Sequence, residues 1–253
     1  GAEAMVSVAK LKNHAFAGVT MTTKNLFGLC PLPPLGRTRA YFHHLVRLSA
    51  FLADLGQLLH PCLNIVDGLV GQSQREWGGK GHICNALLAG DHPIATDTCG
   101  AWLMGHDPAS DYPAPPFRRD RNTMRVAAEH GFGTVKLADI DFATDLEPPL
   151  GPFDSEATDP PEVVRNWLLS TCEQALHFRD RRDRYVAQYP NEYIYLRDGE
   201  VVWHGPSTEG MGSRRHLGGG RPDSALWLKF LDPEETEREH FELYEQMLAR
   251  LRG

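Results

Sequence analysis

The sequence predicts an α/β fold, a mixed sheet with flanking helices, followed by a small α+β module at the carboxyl end. Three observations predict it. Apolar runs of strand length at 5–9, 63–66 and 83–89 alternate with stretches of helical period at 41–59 and after Pro93. A stretch dense in proline and acid, Asp145 to Pro161, reads as a domain boundary, giving a core domain at 1–150 and an accessory module at 151–253. Beyond it come a long helix, a hairpin, a strand and a last helix, the make-up of a small α+β unit.

In order, Met5 to Ala9 is a strand whose continuation would place Lys10, Lys12 and His14 on one side. The segment 17–27 is ambiguous between helix and strand because threonines crowd it, and it carries Lys24-Asn25 where a lysine either snorkels out or faces a site. Tyr41 to Leu59 repeats Phe42, Leu45, Val46, Leu52 and Leu55 at helical spacing and reads as a core-packing helix. Leu63 to Val66 is a short buried strand stopping at Asp67-Gly68, and Ile83 to Ala89 another stopping at Gly90-Asp91, so two acids fall at strand ends. The polar, glycine-rich stretch between them, Gly71 to Gly81, reads as a ligand-presenting loop with Arg75 and Lys80 on it. Pro93 suits the first turn of a helix that Asp91 can cap, with Asp97 in or near that turn and Gly105 at its end.

From Asp107 to Arg121 a proline-rich loop either covers a site or crosses the surface. Asn122 can cap a short helix from Thr123 to His130, and Thr134 to Phe142 reads as a strand. Glu162 to Ala187 is a long helix. Tyr193 to His204 is a hairpin about Asp198-Gly199, since both residues tolerate positive φ. A glycine-rich loop, 205–222, precedes a strand at 224–230, and Asp232 opens a terminal helix with a stripe of Phe241, Tyr244, Leu248 and Leu251.

Composition narrows the function. A net charge of −7 argues against a general nucleic-acid binder and gives no reason for attraction to anionic membranes. No apolar run reaches the length of a membrane span, and five scattered cysteines without a Cys-x-x-Cys pair read as reduced cytosolic thiols, so the expected location is cytoplasmic. No iron–sulfur ligand set has recognisable spacing. The chain opens on Gly1, which reads as a fragment or a trimmed chain, and a targeting signal upstream would be invisible. The stretch Gly78-Gly79-Lys80-Gly81 fails as a P-loop, and no dinucleotide fingerprint, His-Glu-x-x-His or Gly-x-Ser-x-Gly occurs.

Two functional readings remain. In the first, an enzyme acts on a small anionic substrate: Lys10, Lys12, Asn25, Arg75 and Lys80 bind it, and His14, Lys24, Asp67 and Asp97 carry the chemistry. Asp67, Asp91 and Asp97, with His14, His82 and His92 as further candidates, are the residue types that would hold a divalent metal. In the second, those acids are a turn and helix caps, and the chain is a non-catalytic ligand-binding or scaffold module. Convergence of His14, Lys24, Asp67 and Asp97 in one pocket would favour the first; an unconverged arrangement is what the second predicts.

Three blocks, VAKLKNHAFAGVTMTTKNLFGL, LNIVDGLVGQ and ALLAGDHPIATDTCGAWLMGHDP, together resemble the family known as domain of unknown function 362 across about the first 110 residues. The resemblance implies a bacterial or archaeal α/β domain, sometimes beside ferredoxin-type iron–sulfur modules, and hence a ferredoxin-like partner with redox assistance from an external cluster. Three departures stand out. Set against what the resemblance implies, the family's more N-terminal portion is expected to lie outside this sequence, and no ferredoxin cysteines are present. The loop after Asp67, where the family usually reads glutamate, glycine and then glycine-proline, reads Gln72-Ser73-Gln74-Arg75-Glu76-Trp77-Gly78-Gly79.

Overall fold

The computed structural model describes residues 3–30, 41–155, 159–208, 224–235 and 239–253. The expected α/β class holds: a mixed four-stranded sheet with helices in the first part, then a second sheet and helices toward the carboxyl end. The chain forms two compact units, residues 1–30 with 48–158, and residues 31–47 with 159–253.

In the first unit, β1 (Val6–His14), β2 (Gly18–Thr20), β3 (Leu63–Ser73) and β4 (Lys80–Gly90) lie in the order β2-β1-β3-β4. β1 runs parallel to β3, and β2 and β4 run antiparallel to their neighbours. Helices α1 (Thr22–Leu26) and α3 (Pro93–Leu103) pack on the sheet, and α2 (Arg47–Leu59) contributes an edge-on contact between Phe51 and Phe27 at 5.9 Å. Under these helices the sheet buries Ser7, Ala9, Leu11, Asn64, Val66 and Ala86. Close packing shows at Gly100, where an added Cβ would lie 2.3 Å from Met21 Sδ.

The region from Leu63 to Gly90 departs from expectation. It is one long hairpin rather than two short strands around a loop. Asp67 and Gly68 are mid-strand, and Gly71 and Gly81 sit in paired positions. The hairpin absorbs its misfit at a β-bulge, where the register slips between Gly68 and Val70 and Asn85 takes φ of 49°. The tight end, 74–79, uses its glycines for geometry: Gly78 has φ of 70°, and a Cβ on Gly79 would lie 2.2 Å from Ser73 O. A phosphate cradle is not what these glycines build.

Other elements shift for local reasons. α2 begins at Arg47, after Val46 at φ of 70°, instead of at Tyr41. α4 (Thr123–Glu129) has the expected Asn122 cap, whose Oδ1 accepts from Met124 N at 2.9 Å. The expected strand at 134–142 is a 3₁₀ turn, Leu137–Asp139; Thr134 Oγ1 takes the Lys136 amide at 3.0 Å, a local bond that competes with a ladder. The proline-rich loop is part of the core, its Phe117 being buried against Gly18.

The second unit holds α5 (Pro161–Gln188), kinked at Arg181, the antiparallel sheet β6-β5-β7 and α6 (Glu242–Arg252). The hairpin of β5 (Tyr193–Arg197) and β6 (Glu200–Gly205) turns through Asp198 and Gly199 with φ of 51° and 81°, as two-residue turns require. β7 (Trp227–Phe230) pairs with β5. The terminal helix is described from Glu242, and Asp232 holds a turn, its Oδ1 accepting from Glu234 N at 2.8 Å. The glycine-rich loop falls mainly outside the described residues. The core of this unit contains an ionic network: Glu239 accepts from Arg47 Nη2 at 2.7 Å and from Tyr244 Oη, and Lys229 Nζ reaches Glu235 at 2.6 Å.

Candidate functional site

Each sequence-predicted residue has a defined place, and the structure does not gather them into one pocket. Asp97 is 1% exposed on α3. Its carboxylate accepts from Thr22 N at 2.7 Å, Thr23 N at 2.9 Å and Thr23 Oγ1 at 2.6 Å, so it caps the start of α1 from a distant helix. Burial pushes its carboxyl above the ordinary range, with those donors pulling the other way. Asn25 Nδ2 bonds Ser7 Oγ at 3.1 Å and Val8 O at 3.2 Å, fastening α1 to β1. Lys24 lies 4.4 Å over the Phe27 ring. Asp91 is exposed; His92 caps α3 instead, its Nδ1 accepting from Ile94 N at 3.2 Å. Burial, and secondarily His60, lower the His92 pKa, which keeps that nitrogen available.

Asp67 pairs with Lys10 at 2.8 Å on the exposed side of the sheet, away from Asp97 beneath it. Lys10 as donor, with Leu69 N adding a second bond, holds the Asp67 carboxyl below its ordinary value. Asp67, Asp91 and Asp97 therefore do not form a metal site: Asp97 spends its oxygens on the α1 cap. Among the described residues no group of three or more His, Cys, Asp or Glu is arranged to hold a metal. Arg75 and Lys80 are exposed at the hairpin's tight end, apart from the acids.

What does converge lies at the carboxyl ends of the parallel pair β1 and β3, the usual ligand position in such sheets. His14, buried, accepts the amides of Phe16 and Ala17 on Nδ1, both at 3.1 Å. Glu76 stands 3.7 Å from the same nitrogen and takes the Ala15 amide at 2.9 Å. Asn13 Nδ2 meets His106 Nε2 at 3.0 Å, which makes that ring nitrogen an acceptor. Burial drives the His106 pKa down to about 4, with Asp154 a smaller opposing influence. Ser73 Oγ bonds His82 Nε2 at 2.8 Å. Glu76, Asn13 and His106 were not among the sequence candidates. Glu76 sits in the loop already singled out, but nothing in the spacing links Asn13 to His106, 93 residues away. Most of these bonds hold turns and strand ends in place.

The sheet's other face is uncovered. Cross-strand rows Val6 and Leu63, then Val8, Ile65 and Ala89, then Lys10, Asp67 and Leu87 share that side. Val6 is 51% exposed, Val8 61%, Leu63 38% and Leu87 65%. Sheets containing parallel strands are ordinarily covered on both faces, and contiguous apolar patches of this kind mark interaction surfaces.

Among the described residues no helix is long and apolar enough to cross a membrane. No solved structure matches the chain. A thylakoid-associated protein of Synechocystis is 28% identical over 115 residues, covering 43% of this chain and 35% of the relative. The chain thus spans about a third of the length of that curated relative. Residues 1–102, β1 through all but the last residue of α3, match the model of the family described as "Domain of unknown function (DUF362)".

Proposed function

We propose that this chain is a non-catalytic docking module whose uncovered sheet face takes a protein partner. The observation that carries the reading is the row of half-exposed aliphatic side chains, Val6, Val8, Leu63 and Leu87, on one side of a sheet whose other side is packed under helices. The dispersal of His14, Lys24, Asp67 and Asp97 supports it, because each is engaged in holding the fold or lies on a different face. The relative's name associates that protein with thylakoids. Attachment through a partner is what a docking module supplies, and on this reading the chain works in the cytoplasm against a docked protein.

A photo-crosslinking amino acid at position 8, compared with one at Leu58, an exposed site on α2, tests this in the cells of origin. Adducts expected at position 8 and lost with Leu87→Lys support the reading. Equal adducts at both positions, or none at position 8, overturn it.

A second reading is favoured by one contact, the approach of Glu76 to His14 at 3.7 Å beside the carboxyl ends of parallel strands. Here an enzyme on a small anionic substrate uses His14 to move a proton, Glu76 to hold it and Lys12 to bind the anion, with a divalent metal or a ferredoxin-like partner assisting. Thermal shift with phosphate and simple carboxylates, on the native chain and on His14→Gln, decides it: stabilisation by an anion that vanishes in the variant supports this reading, and no shift rejects it.

A further inference from the structure

Residues Gly131 to Thr134 form a strap beside the start of α3. It leaves the end of α4, where the Phe132 amide donates to Ala127 O at 2.9 Å, and its far end is tied by Thr98 Oγ1, which donates to Thr134 O at 2.8 Å. Gly131 and Gly133, with φ of 79° and 83°, flank Phe132 and supply the two swivels of a hinged segment. Between the ties, ring contacts hold the strap. Phe132 lies tilted on His92 at 4.6 Å and edge-on to His60 at 5.6 Å, and the two imidazoles meet at 5.4 Å. A Cβ added to Gly133 would stand 2.6 Å from Ile94 Cβ and 2.9 Å from His92 Cε1, so the strap sits directly on the helix start.

We infer that His60 and His92 form an acid-sensitive latch that closes this strap over the start of α3 and releases it when the pair takes up protons. The cap carries the argument. His92 Nδ1 accepts from Ile94 N at 3.2 Å and from Ala95 N at 3.4 Å, so the neutral ring keeps its own proton on Nε2. A second proton must therefore land on Nδ1. There it faces two amide donors at the positive pole of α3, and the cap changes from attraction to repulsion.

The neighbours set the direction of the response. Among the described residues, the titratable groups acting on His92 are His60, from the end of α2, and Asp91, the preceding residue. A charged His60 opposes charge on His92, whereas Asp91 and the face of Phe132 favour it. Burial first, and then His60, outweigh Asp91 and hold His92 below the ordinary histidine value of 6.5. A histidine held down in the closed form and free to titrate in the open one stabilises closure above pH 6.5 and loses that effect as the pH falls. Released, the strap turns on its glycines, uncovers Ile94, which is fully buried when closed, and bares the Phe132 ring.

The test is amide exchange with solvent, read by NMR on the full chain at pH 8 and pH 5 and corrected for intrinsic rates. Protection at Ile94, Ala95 and Phe132 is expected to fall in acid, by at most about thirtyfold for one histidine that titrates at 6.5 when open. His92→Asn keeps a capping acceptor that does not titrate, and its protection is expected to stay level within about twofold. His60→Gln removes the opposing charge and is expected to shrink the fall. Circular dichroism melts at pH 8 establish that both variants fold, and His106, which also responds to acid, is common to all three proteins and cancels. Equal protection at the two pH values, a rise in acid as an imidazolium grips Phe132, or a His92→Asn profile parallel to the native one overturns the latch. An undiminished fall in His60→Gln overturns the pairing of the two histidines.

Discussion

The acceptor role of His106 makes the stability of the first unit depend on acid in a calculable way. Its native pKa lies near 4, against 6.5 for an ordinary histidine, because the ring is buried. A folded-state pKa below the unfolded one means that the unfolded chain binds the proton more readily. The stabilisation is thus fully present above pH 6.5 and is lost as pH falls toward 4. Linkage puts the loss from this group at about 2 kcal/mol between pH 8 and pH 5, and about 3 kcal/mol by pH 4. Protonation also turns Nε2 into a donor facing Asn13 Nδ2, so the 3.0 Å contact becomes donor against donor. The measurement is urea unfolding of the native chain and of His106→Gln, whose carbonyl can still accept from Asn13. His92 is shifted in the same direction in both proteins and cancels in the difference. The native chain is expected to lose about 2 kcal/mol more than the variant between pH 8 and pH 5. Parallel pH profiles, or a His106 ring signal titrating near 6.5 by NMR, would refute the reasoning.

Three further substitutions separate structural from functional roles. Asp97→Ala removes three hydrogen bonds from the start of α1 and is expected to lower stability by about 2–3 kcal/mol in chemical denaturation, with Asp97→Asn recovering part through its remaining acceptor. Glu239→Gln leaves Arg47 and Lys229 with less compensating charge in the core of the second unit, and a loss of about 3 kcal/mol is expected in the same assay. Gly71→Ala places a Cβ 2.5 Å from Phe153 Cζ, so a thermal melt should register a loss of about 1–3 kcal/mol; an unchanged melting temperature would mean that the Phe153 segment moves away freely.

Legibility followed the range of the interaction. β1, α3, α4, α5 and the Asp198-Gly199 hairpin were readable because their signals are local: period, cap and turn residues within a few positions. The long hairpin of β3 and β4 was not, because Gly68, Gly71 and Gly81 read as breakers. Contacts distant in sequence make them tolerable: Leu11 beside Gly68, Phe153 beside Gly71, and a bulge at Asn85 that absorbs the register slip. The partners of the site candidates were illegible for the same reason. Asp97 is rightly placed on α3, but its partners are the amides of Thr22 and Thr23, 75 and 74 residues away. A sequence shows an acid near a helix start without showing that it caps a different helix.

This explains why the polar residues of 1–102 look like a ligand set. The residues that stand out within 1–102, Asn25, Asp67, His92 and Asp97, are polar groups in an apolar segment, which is how a ligand set reads. In the folded unit they satisfy backbone donors or one another: Asp97 serves α1, His92 serves α3, Asn25 serves β1, and Asp67 serves Lys10. A short helix such as α1, five residues long, cannot hold its own ends and needs such help. Once those groups are accounted for, the strands of the segment still expose Val6, Val8, Leu63, Leu69, Val70, Ile83 and Leu87. Exposed strand residues of this kind lower solubility and do nothing for the fold that displays them. On the docking reading proposed above, Val8 with Leu87 is the pair whose replacement should abolish partner capture while leaving the fold intact.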